Sequence, residues 1–86
     1  MADYRITFAR SARKELQALD AANVGRIFAK IEALASRPRP VKCVKLRGKN
    51  NLWRIRVGVY RVVYTIDDRQ KLVDIIAVRH RKDVYR

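Results

Sequence analysis

Trp53-Arg54-Ile55-Arg56-Val57-Gly58-Val59-Tyr60-Arg61-Val62-Val63-Tyr64 is the stretch that decides the fold. Two alternating runs flank Gly58-Val59, a natural two-residue turn, because glycine suits the first central position of a type II′ turn. Such a turn sets the register. Val57 then opposes Tyr60, Arg56 opposes Arg61, Ile55 opposes Val62 and Trp53 opposes Tyr64. Side chains alternate between faces along a strand, so a correct register must sort both strands consistently. It does so here. Trp53, Ile55, Val57, Tyr60, Val62 and Tyr64 share one face, which must be the core. Arg54, Arg56, Arg61 and Val63 share the other, solvent-facing side.

That register sets Arg56 directly across from Arg61, with Arg54 two residues along the same face. Like charges facing each other across a sheet cost roughly 0.2–1 kcal/mol. No acidic residue in either strand relieves them, and the nearest, Asp67 and Asp68, lie in the turn beyond. A local rule broken without compensation is expected at a functional site. Three guanidiniums at this spacing form a surface for phosphate oxygens, each able to bond bidentately. The plain alternative is a solvated edge of a small basic domain.

Working outward, residues 72–78 read as a further strand after the polar turn at 67–71. Val44 and Leu46 suggest a short strand before Gly48-Lys49-Asn50-Asn51, a turn by composition. Towards the N-terminus, Tyr4, Ile6 and Phe8 alternate with polar residues, as in a half-buried strand. Ala12, Leu16 and Leu19 suit a short helix over 11–19. Asp20 can cap a second helix, whose stripe is Val24, Ile27, Phe28, Ile31, Leu34 and Ala35. Arg37-Pro38-Arg39-Pro40 ends it. The expected fold is α+β: a strand, a two-helix hairpin, then an antiparallel sheet of three to four strands with both helices on one face. The register between 60–66 and 72–78 stays open, since both alternations of the later strand are largely apolar. An antiparallel meander still brings Arg79, His80 and Arg81 near the Gly58 turn.

The chain has 86 residues, enough for one domain spanning 1–86, and its 49% apolar content is ordinary for a globular protein. Charge is the unusual feature: 21 Lys and Arg against 8 Asp and Glu, a formal net charge of +13. Such a surplus self-repels, so it points to an anionic partner, nucleic acid first and an acidic protein second. Cys43 is the single cysteine and His80 the single histidine, which fits a reducing cytoplasm and leaves no structural zinc set. No cofactor or metal is called for. No apolar run approaches the roughly 20 residues needed to cross a membrane, and no signal-peptide pattern opens the chain.

Lys45-Leu46-Arg47-Gly48, the hairpin stretch from Trp53 to Tyr64, and His80-Arg81-Lys82-Asp83-Val84-Tyr85 together resemble the RelE/ParE toxin superfamily. The resemblance runs nearly end to end. It implies a toxin held inactive by a co-expressed acidic antitoxin, monomeric alone and hetero-oligomeric with that partner. RelE-type members cleave mRNA in the ribosomal A site without metal, the 2′-hydroxyl attacking the adjacent phosphorus to leave a 2′,3′-cyclic phosphate. Carried over by position, the resemblance implies that Arg54 and Arg56 flank the scissile phosphate and Arg61 stabilises the transition state. Arg81 binds a second phosphate, and Tyr85 stacks on or orients the nucleotide. Lys45, Arg47, Arg79, His80 and Lys82 extend the RNA- and phosphate-binding surface. Tyr85 has an equal alternative as a tyrosine packing a frayed end.

A guanidinium cannot lose its proton near neutral pH, and the best-known RelE pattern has lysines where this chain has Arg54 and Arg56. The general base is therefore unassigned. His80 is a candidate by its unperturbed pKa near 7, with a solvated tail histidine as the alternative. Three functions remain in view. One is the ribonuclease. Another is a ParE-type non-catalytic inhibitor of gyrase on the same fold, and a third is a non-enzymatic basic nucleic-acid-binding module.

Overall fold

In a computed structural model the protein is described over residues 3–48, 51–80 and 82. Its elements follow the order β1 (Arg5–Phe8), α1 (Arg10–Gln17), α2 (Ala21–Ala33), β2 (Val44–Lys45), β3 (Leu52–Val57), β4 (Tyr60–Asp67) and β5 (Leu72–His80). The strands form one five-stranded sheet in the order β1-β5-β4-β3-β2. The expected three to four antiparallel strands thus become five, because β1 joins as a parallel edge strand with Arg5 opposite Leu72 and Phe8 opposite Ile75. β2 adds the other edge through Val44 opposite Arg54 and Lys45 opposite Trp53.

The β3–β4 hairpin holds the register that the turn dictates, from Val57 opposite Tyr60 to Trp53 opposite Tyr64. Gly58 takes φ 62, and Val59 is not among the positive-φ residues, as a type II′ turn requires. The open register of β5 is settled by a bulge between Val63 and Tyr64 of β4. Val62 opposes Val78 on one side of it and Tyr64 opposes Ile75 on the other, so Ile76 is the extra residue. The bulge flips the alternation of β5. Val73 and Ile75 face the core before it and Val78 after it.

Asp20 caps α2 as expected, its carboxylate accepting the Asn23 N–H at 2.9 Å. The helix stops at Ala33, before the Arg37–Pro40 segment. Ile27, Ile31 and Leu34 bury themselves against Ile55, Val57, Val62, Tyr64 and Ile66, whereas Phe28 at the edge of the stripe stays 38% exposed. Tyr64 is fully buried and its hydroxyl donates to the Pro38 carbonyl at 2.8 Å, tying the post-helix segment to the sheet. Burial pushes its phenol well above the ordinary range. Arg39 then grips Asp68 through both terminal nitrogens, and the Tyr4 hydroxyl donates to the same carboxylate at 2.6 Å.

α1 continues the sheet edge where β1 stops. The Ala9 N–H donates to the Ile75 carbonyl at 2.8 Å, Ser11 Oγ to the Ile76 carbonyl at 3.0 Å, and Glu15 accepts the Val78 N–H at 2.7 Å. Backbone groups that would otherwise face solvent along β5 are thereby satisfied by the Ala9 N–H and by the side chains of Ser11 and Glu15. No helix among the described residues is long and apolar enough to cross a membrane.

Candidate functional site: an arginine row on the sheet

Strand pairing brings Arg56 opposite Arg61 and Arg61 opposite Arg79, so three arginines stand in a row across β3, β4 and β5. Two strand spacings cover about 10 Å, the width of the row at the backbone. Arg54 joins on β3 opposite Val63, on the same face. The convergence read from the turn is therefore present, and Arg79 belongs to it.

One part of that reading needs correction. Arg61 is not solvent-facing: only 3% of it is exposed. It sits on the central strand with Arg56 and Arg79 as its two lateral neighbours. Arg54 is half-buried, and its Nε, like that of Arg61, is shut off from solvent. Arg56 alone of the three hairpin arginines is exposed. A small hollow of about 40 Å³ opens beside it, lined by Arg56, Gly58, Val59, Tyr60 and Arg61. A larger groove of about 510 Å³ runs along the β3 edge and includes Lys30, Leu34, Val41, Lys42, Arg54 and Arg56.

Among the described residues, one carboxylate enters this region of positive charge. Glu15 of α1 pairs with Arg79, Oε2 accepting from Nε at 2.8 Å. The sequence carries a trace of this. Ser11 and Glu15 lie four apart, on one helix face, and Glu15 is the only acidic residue of α1. Nothing local reveals that their target is β5.

The other residues named from sequence disperse. His80 opposes Tyr60, and their rings meet edge-on at 5.5 Å. That puts His80 on the face of Tyr60, one residue beyond Arg79. The Lys82 N–H donates to His80 Nδ1 at 3.2 Å, so in the neutral ring the proton sits on Nε2. Lys82 itself is exposed. Lys45 lies over the Trp53 ring, 5.8 Å from its centroid, with Arg39 over the same ring at 4.9 Å. Trp53 is three residues before Arg56, about 10 Å along the strand, so Lys45 stands apart from the row. Arg47 is exposed in the loop after β2. Arg81 and Tyr85 lie outside the described residues. Among the described residues no three His, Cys, Asp or Glu side chains come together as a metal site would require.

These features can be set beside known proteins. A family model described as ParE toxin of type II toxin–antitoxin system, parDE, matches residues 6–85. A putative RelE-like toxin protein of Escherichia coli is 34% identical over 95% of this chain and 90% of its own length. Toxin RelG of Mycobacterium tuberculosis is 33% identical over 96% and 97%. Among solved structures, the archaeal RelE–RelB complex from Pyrococcus horikoshii contains a chain 30% identical with a TM-score of 0.82, covering 92% of this chain and 96% of that one. The hairpin, the helical pair and the five-stranded sheet thus belong to a shared fold, and the chain is a RelE-like toxin of a type II toxin–antitoxin system, a member of the RelE/ParE superfamily.

Proposed function

We propose that this toxin is a metal-independent endoribonuclease that cuts mRNA in the ribosomal A site, within the cytoplasm. The observation that carries the reading is the cross-strand row Arg56, Arg61 and Arg79 with Arg54 beside it. In-line attack by a neighbouring 2′-hydroxyl needs orientation and charge stabilisation more than a strong nucleophile. The bond from the 2′-oxygen to phosphorus forms, the bond from phosphorus to the 5′-oxygen breaks, and the products are a 2′,3′-cyclic phosphate and a 5′-hydroxyl. Arg54 and Arg56 grip the non-bridging oxygens. Arg61, almost wholly removed from water, stabilises the charge that develops on the phosphorane, where a low local dielectric strengthens its effect. Arg81 and Tyr85 bind the adjoining phosphate and base.

None of these arginines can take the proton from the 2′-hydroxyl. Nδ1 of His80 accepts the Lys82 N–H, so the neutral ring presents only an Nε2–H hydrogen-bond donor to the RNA and no lone pair to take that proton. The base is a group outside the arginine set. A cognate acidic antitoxin covers the basic surface and silences the toxin; the Pyrococcus horikoshii relative is itself a toxin–antitoxin complex. Primer extension on a translated message tests the cleavage. Parent protein yields new 5′ ends, and Arg61→Ala, checked for folding by circular dichroism, yields none. A folded Arg61→Ala variant that cut normally would show the site to be elsewhere.

A second reading has its own support, because the matching family model carries the ParE description. It makes the protein a non-catalytic gyrase inhibitor, which a supercoiling assay with purified gyrase detects. A purely nucleic-acid-binding module would show salt-sensitive binding and no cleaved product.

A further inference from the structure

The cleavage chemistry leaves Glu15 unused, yet its carboxylate is occupied at both oxygens. Oε1 accepts the Val78 N–H at 2.7 Å and Oε2 accepts Nε–H of Arg79 at 2.8 Å. The side chain is 27% exposed and that of Arg79 49%. Arg79 is thus held from one side by its Nε. Its two terminal nitrogens make no hydrogen bond to the described residues. An arginine gripping a phosphate gives up rotamer freedom, and one already anchored gives up less.

We propose that Glu15 is a positioning residue that holds Arg79 as a preset phosphate-binding arm for single-stranded RNA beside the arginine row. The inference rests on the ribonuclease reading and adds to it a residue of opposite charge. Two effects of Glu15 on RNA binding have opposite signs, which makes them separable. As a bare negative charge, Glu15 repels RNA, so its removal should tighten binding through long-range attraction. As an anchor for Arg79, its removal should loosen it. Glu15→Gln discriminates. Glutamine keeps the shape but puts a donor NH2 where one of the two oxygens was, so either the Val78 N–H or Arg79 Nε faces a donor instead of an acceptor.

The experiment measures binding of a short labelled single-stranded RNA by fluorescence anisotropy across a salt series. The proteins are the parent, Glu15→Gln, Arg79→Ala and the double variant, and the melting temperature of each is recorded. Arg79→Ala is expected to weaken binding about tenfold and to lower the salt slope by about 0.7, the value for one phosphate contact on a single strand. Glu15→Gln weakens binding by about threefold to tenfold, whereas in the Arg79→Ala background only the charge effect is left and the same change weakens it no further or tightens it slightly. This non-additivity marks coupling between the two residues. The bond to Val78 appears separately, as a lower melting temperature in both backgrounds. Arg79→Lys leaves Glu15 untouched and keeps the charge but loses the planar fork; weaker binding with the salt slope unchanged is expected. Glu15→Gln binding as tightly as the parent or tighter, or weakening binding equally in both backgrounds, overturns the proposal. Parent protein that binds no RNA overturns the proposal, while the ribonuclease reading falls separately, if the parent leaves a translated message intact.

Discussion

Replacing Arg56 with threonine should make the protein more stable and less active at once. Arg56 stands directly opposite Arg61 on the neighbouring strand and is the exposed member of that pair. Directly opposed Cβ atoms lie roughly 5 Å apart, and like charges there cost about 0.2–1 kcal/mol. Two unit charges 5 Å apart in water repel by about 0.8 kcal/mol, consistent with that range. Threonine removes the charge and suits a strand. For a domain of this size about 1 kcal/mol corresponds to 4–8 °C, so the melting temperature should rise by roughly 1–8 °C. The gain should shrink in high salt, where screening already relieves the pair. Removing one preset donor to a developing oxyanion typically costs 10²–10³ in turnover, so message cleavage should fall by about that factor. Thermal melts in low and high salt, run beside primer extension, supply both numbers. A variant that melts lower and cuts normally would refute the reasoning on both counts.

Asp68 is held at about 2, below its ordinary 3.8, first by its bond from Arg39 and then by that from Tyr4. A depressed carboxylate stabilises the fold above its unfolded value and loses that contribution as pH falls through its folded one. Asp68→Asn should therefore melt below the parent at pH 7, with the gap closing between about pH 4 and pH 2; a gap independent of pH would contradict this. Gly58→Ala should destabilise by about 1–2 kcal/mol from its left-handed backbone alone, since a β-carbon there meets only Arg26 Nη2 at 3.8 Å. Urea titration would read that loss, and no change in midpoint would count against the turn assignment. Tyr64→Phe should cost about 1–3 kcal/mol in the same titration, because the buried Pro38 carbonyl loses its donor.

Much of the site was legible because one short turn carries the information. With Gly58-Val59 placed, period-two alternation assigns each residue of β3 and β4 to a face, and Arg56 must meet Arg61. Burial was not legible in the same way. Alternation says which face Arg61 occupies but not how deeply it is buried there. β5 resisted because its bulge at Ile76 switches the core-facing set midway, so neither strict alternation describes it. β1 was read as a strand, but its parallel pairing with β5 joins residues more than 60 positions apart, and no local pattern encodes that partner. Glu15 was missed for the same reason. Its helix position is plain, and its target on β5 is a property of the assembled sheet.

Whether the arginine row cuts RNA is read from the chemistry of the cut ends. A translated message is incubated with ribosomes and the purified protein, and the ends of the fragments are then identified. The account predicts 2′,3′-cyclic phosphate and 5′-hydroxyl ends at discrete positions within codons, present with the parent and absent with Arg61→Ala. Intact message from the parent protein, together with inhibited supercoiling by purified gyrase, would contradict it.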